Sequence, residues 1–149
     1  MSRSDSACRV FVSDTPDAEW SELTDGGRPA VRLRARDLQH AQRAARRIHD
    51  TESVAVVLDI TVLIADDHRA AYQRLDELEP ADGSVHYAGT VDGLAGLVAD
   101  IYTAGVADGV NLISAAPDGD VRTVAEQTVQ RLRLRSRLLS GVPDSRASA

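Results

Sequence analysis

Lysine is absent from this 149-residue sequence, so every one of its 17 basic residues is arginine. A Schiff-base mechanism, which needs a lysine amine, is thereby excluded. Cysteine is nearly absent as well. Cys8 stands alone, which rules out an intrachain disulfide and a multi-cysteine zinc site and fits a reducing cytosol. Aromatic residues make up 3% of the chain, so the core has to be built from aliphatic side chains. Positive charge is in deficit. The net charge of −6 and a pI near 5.1 argue against a nucleic-acid or anionic-membrane surface. No apolar run approaches the roughly 18 residues of a membrane span. The polar start, Met1 to Ser6, lacks a signal-peptide core. These absences together predict a cytoplasmic protein.

What is present suits one α/β domain. Hydrophobic residues reach 43%, and strand patterns alternate with helix patterns. Arg9–Ser13 (RVFVS) reads as a short strand. The breakers Pro16, Gly26, Gly27 and Pro29 follow, with one helical turn expected around Trp20 and Leu23. Val31–Ala35 alternates, with Val31, Leu33 and Ala35 on one face and Arg32 and Arg34 on the other. Asp37 caps a helix to about Asp50, whose inward stripe is Leu38, Ala41, Ala45 and Ile48. Val54–Ala65 is apolar on both faces, as a covered central strand would be. A helix from about Asp66 to Leu78 follows.

Val85–Ala88 is a weak strand or an extended entry to the next helix. Thr90 caps a helix bearing Leu94, Leu97, Val98 and Ile101, and Gly105 sits where a helix C-terminal glycine belongs. Gly109–Ser114 is a short strand. A last helix runs over about Asp120–Leu139. The domain is expected over residues 8–139, with flexible termini at 1–7 and 140–149. Such alternation implies mainly parallel strands joined by crossover helices. A full eight-stranded barrel needs roughly 200 residues or more, so the expected fold is a partial (βα) barrel or a small open sheet.

The stretch AGTVDGLAGLVADIYTAGVADGVNLIS, from Ala88 to Ser114, resembles the closing segment of the luciferase-like flavin-dependent monooxygenases. Gly89, Thr90, Ala104, Gly105, Val106, Asp108, Gly109, Asn111 and Leu112 carry the likeness. The preceding VVLDITVLIADDHRAAYQRLDEL is similar to the strand–helix unit before it. The resemblance covers about residues 54–135, and residues 8–50 match only in outline. It implies roughly the C-terminal half of a TIM barrel. It also implies an oxidoreductase ancestry using FMN or the deazaflavin F420. The family's active-site residues lie largely in barrel units with no counterpart here, so catalytic residues are not carried over. The expectation is a flavin-dependent enzyme active only in an assembly. The alternative is a non-catalytic flavin-binding or protein-interaction module of the same origin.

Five residues stand as cofactor-binding candidates: Asp59, Thr61, Gly89, Thr90 and Asn111. Asp59 and Thr61 share one face of the long strand, opposite a purely aliphatic face. A buried Asp without a partner is costly, so a structural partner, Arg32 or Arg34, is weighed against a ligand. Gly89-Thr90 could hold an anion at a helix N-terminus, although the plain reading is an N-cap. The loop Ala115–Asp120 is a further candidate, but Asp118 and Asp120 repel phosphate. His40 and His49 read as solvated, and His86 is the histidine to test. His68 beside Asp66 and Asp67 lacks a defined ligand geometry, so no metal is expected. Leu134, Leu138 and Leu139 widen the last helix's apolar stripe into a possible docking surface. A half barrel would leave Val57 and Leu63 exposed on its inner face, which predicts a homodimer or pairing with a complementary barrel half.

Overall fold

The computed structural model describes residues 8–15, 18–78, 84–116 and 120–148, with side chains through 76 in the second stretch and 135 in the last. The elements run β1 (Arg9–Ser13), β2 (Ser21–Glu22), β3 (Ala30–Leu33), α1 (Leu38–Thr51), β4 (Ala55–Ile64), α2 (His68–Leu78), β5 (Val85–Gly89), α3 (Val91–Thr103), β6 (Gly109–Ser114) and α4 (Val121–Ser148). The expected α/β class with mainly parallel strands is present. Among the described residues, only β2 runs antiparallel to its neighbour.

The strand order is β2-β1-β6-β4-β3. The long β4 is shared along one side: its first half pairs with β3 and its second half with β5. Its other side pairs with β6 from Val57 to Val62. The sheet is curled and compatible with part of a barrel. Serial order is broken at one place, because β6 lies between β1 and β4 while β5 lies on the far side of β4.

Register fixes the two faces of the sheet. Val10 and Val12, Leu58, Ile60 and Val62, and Val110 and Leu112 share one face and form one buried cluster. Ala41 of α1, Leu94, Val98 and Ile101 of α3, and Val121, Ala125 and Val129 of α4 complete it. Among the described residues, none of α2 joins this cluster; α2 packs on β5 and β4 instead. Right-handed crossovers account for the split. The steps β4 to β5 and β5 to β6 cross the sheet in opposite directions, which sends α2 and α3 to opposite faces.

Local chemistry ends the elements where the sequence placed caps. The Asp37 carboxylate accepts the His40 N–H at 2.7 Å at the start of α1. The Thr90 hydroxyl accepts the Gly93 N–H at 3.2 Å at the start of α3. Beyond α3, Gly105 takes a φ of 77°. The Val106 N–H then reaches back to the Ile101 carbonyl at 3.0 Å and Gly105 N–H to Tyr102 at 3.2 Å, the double bond of a Schellman turn.

Three expectations are corrected. The helical turn around Trp20 and Leu23 is instead extended chain containing β2, because Trp20 stacks on Phe11 with ring centroids 4.1 Å apart. That tertiary contact outweighs local propensity. Val57 and Leu63 are buried in the single chain, at 0% and 5% exposure, so no partner is needed to cover them. The last helix continues to Ser148 rather than stopping near Leu139. The tail at 1–7 lies outside the described residues.

Candidate functional site

Among the described residues, two places gather the candidate groups. The first is a polar row across the face of the sheet opposite the aliphatic cluster. Register sets Arg32 of β3, Asp59 of β4, Asn111 of β6 and Ser13 of β1 on that face. Arg32 grips Asp59 in a two-pronged pair, Nε to Oδ1 at 3.1 Å and Nη2 to Oδ2 at 3.0 Å. Asn111 donates from Nδ2 to Asp59 Oδ1 at 3.1 Å and to Ser13 Oγ at 3.1 Å. Arg32 also donates to the Ala18 carbonyl at 3.1 Å and sits over the Trp20 ring, 5.7 Å from its centre. Asp59 is 4% exposed and Asn111 is fully buried. Among the described residues, no buried side-chain polar atom lacks a partner. The row is therefore self-satisfied, which is how a charge survives burial.

Of the five candidates, Asp59 and Asn111 are brought into contact, with Arg32 as the partner. Arg34 is exposed and takes no part. Thr61 lies two residues further along the same face and is half-buried. Gly89 and Thr90 stand apart from this row, at the end of β5 and the start of α3. Space is tight around Gly89: a Cβ there would lie 2.5 Å from both His68 Nδ1 and the Tyr87 hydroxyl. The Tyr87 hydroxyl donates to the Thr90 carbonyl at 2.9 Å. Burial pushes its pKa up, so the phenol stays protonated.

The remaining histidines sort themselves by contact. His49 is exposed, as expected, and its Nε2 also lies 2.7 Å from Asp108 Oδ2, which accepts the Val56 N–H at 2.8 Å. His86 Nε2 meets the Ser84 hydroxyl at 3.5 Å, at the start of β5.

The second place is a crevice of about 360 Å³ at the carboxyl ends of β4 and β6. Val62, Leu63 and Ile64 at the end of β4 and Ala65 just after it line it, with Ser114 at the end of β6 and Ala116 beyond. Ala70 and Arg74 of α2 form one wall. Asp120, Val121 and Val124 at the start of α4 form the other. The cause is topological. The chain leaves β4 toward α2 and leaves β6 toward α4, and the diverging connections open a gap between adjacent parallel strands.

Both flanking helix starts are already closed by carboxylates. Asp67 accepts the Ala70 N–H at 2.8 Å. Asp120 accepts the Thr123 N–H at 3.1 Å and its hydroxyl at 2.6 Å, and those bonds hold its carboxyl below the usual carboxylate range. The loop Ala115–Asp120 named from sequence borders this crevice, although Asp118 lies outside the described residues. Arg74 and the β4 end were not singled out. The switch in direction after β4 decides their role, and it leaves no mark on local residue pattern. No protein-family model matches the chain, and no curated protein matches it either.

Proposed function

We propose that this chain is a luciferase-like binding module that takes its ligand in the crevice between α2 and α4 and gains flavin-dependent oxidoreductase activity only in an assembly. The crevice carries the reading. Ligands of parallel sheets bind outside the carboxyl ends of strands, where neighbouring connections part, and about 360 Å³ falls in the range of small-molecule sites. The barrel ancestry belongs to the same proposal. It draws on the curled, mainly parallel sheet.

FMN and F420 are the ligands the resemblance brings. Each carries phosphate, and Asp67 and Asp120 stand where a phosphate would seek a helix N-terminus. The isolated chain therefore holds free flavin weakly, and competence comes from a second copy or a complementary barrel half. The lone Cys8 thiol suits the cytoplasmic setting proposed for it.

Flavin fluorescence quenching on the purified chain, with light scattering after size exclusion, tests this. The expected result is weak flavin binding by the monomer and tighter binding by an assembled form. A sub-micromolar dissociation constant for the monomer overturns the assembly requirement.

A further inference from the structure

Charge is spread unevenly along this acidic chain. Residues 28–49 carry seven Arg and one Asp, a net +6, which against −6 for the whole leaves −12 for the rest. Asp37, the one acid in that stretch, spends an oxygen on the His40 N–H at the start of α1. Arg43, Arg46 and Arg47 are exposed on α1, and spacings of three and four place them on one stripe. Like charges so spaced repel, at a cost to the helix. A merely solvated face would interleave acids. Elsewhere arginine is neutralised: Arg9 by Glu22, Arg32 by Asp59 and Arg131 by Asp92. Among the described residues, Arg34, Arg43, Arg46 and Arg47 enter no ion pair.

Next to α1 lies an open strand. α1 packs on β3 and β4. β3 ends the sheet, pairs with β4 alone among the described residues, and is half-buried along its length. Its outer backbone groups can take up another strand. The positive charge nearby opposes the same edge of a second copy and favours a partner of opposite sign. With 14 residues, α1 is about 21 Å long, the span of about six extended residues. A nucleic-acid duplex or a bilayer would overrun that length onto the acidic remainder of the surface, and neither offers peptide groups to a strand edge.

We propose that an extended, acidic segment of a partner protein docks here, adding a strand to β3 and setting its carboxylates against the α1 arginines. The inference uses neither the crevice nor flavin, so it stands or falls apart from both.

Amide shifts of the ¹⁵N-labelled full chain test it. The probe is an acetylated peptide of alternating glutamate and valine, long enough to span α1. It should shift the amides of Val31, Leu33, Arg43 and Arg47, and bind less tightly as salt is raised. Glutamine is a good helix former, so Arg43→Gln, Arg46→Gln and Arg47→Gln together should leave the melting temperature unchanged or higher. That variant should bind the peptide about ten-fold more weakly, the scale of a few exposed ion pairs. The same peptide methylated at alternate backbone nitrogens cannot pair with a strand and should also bind more weakly. No shift at these amides overturns the proposal, as does equal binding by the glutamine variant. Equal binding of the methylated peptide overturns strand addition. Tighter binding of a thymidine oligonucleotide or of phosphatidylserine vesicles overturns the assignment of the partner as an acidic peptide segment.

Discussion

Replacing Asp59 by Ala removes the acceptor at the centre of the polar row. Two charge-assisted bonds from Arg32 and one from Asn111 are lost together. Breaking one side of a buried pair costs about 3–5 kcal/mol. The Arg32 side chain is 25% exposed, so water recovers part of its loss, and the lower end, about 3 kcal/mol, applies. Asn111 recovers nothing, because it is fully buried.

For a domain of this size that loss lowers the melting temperature by about 6–12 °C. Asp59→Asn keeps the shape and one acceptor, and should cost about 1.5–3 kcal/mol. Urea unfolding of Asp59→Ala, Arg32→Met and the double variant closes a cycle. The expected coupling is about 1–3 kcal/mol. If the two single effects add within about 0.5 kcal/mol, the pair is not coupled and the structural reading of Asp59 is refuted. An Asp59→Ala variant that melts like the wild type would return this residue to the list of ligand candidates.

Other consequences follow from single contacts. Gly109 faces β1 so closely that an added Cβ would lie 2.4 Å from the Arg9 carbonyl oxygen; Gly109→Ala should destabilise by about 1–3 kcal/mol by forcing β1 and β6 apart, read by thermal melting. Glu22 tests linkage. Burial pushes its carboxyl up, but hydrogen bonds from Arg9 and Thr24 outweigh that and set it below the usual value. Its contribution is thus full above the unfolded value of about 4.3 and lost as pH falls through the lower folded one. Glu22→Gln should flatten the acid limb of a stability–pH profile below about pH 4.3, and an unchanged limb would contradict the pairing with Arg9. Thr90→Ala should cost about 1 kcal/mol through loss of the α3 cap, with no change in flavin affinity; a binding loss with an unchanged melt would favour the anion-site reading.

The sequence by itself determined the class, the major elements and their caps. The double-sided run of β4 had to be a covered central strand, because a ten-residue strand apolar on both faces has no water-facing side to offer. Asp37, Thr90 and Gly105 had to punctuate helices, since side-chain acceptors and a positive φ act within a few residues of themselves. The need of Asp59 for a cationic partner was also legible, from the penalty on an unpaired buried charge. Which partner it takes was not. Arg32 and Arg34 alternate identically in the sequence pattern, and only the extent of β3, which ends at Leu33, and its parallel register on β4 set Arg32 beside Val57 and within reach of Asp59.

Tertiary structure alone decided three further matters. Trp20 and Glu22 lie extended because Phe11 and Arg9, on another strand, hold them there. Strand order could not be read, because the residues of β5 and β6 suit either side of β4 equally well. That order in turn made the crevice. Arg74 and Asp120 stand 46 positions apart in the sequence and line the same pocket because connections leaving neighbouring strands diverge, and divergence is a property of the sheet rather than of any segment in it.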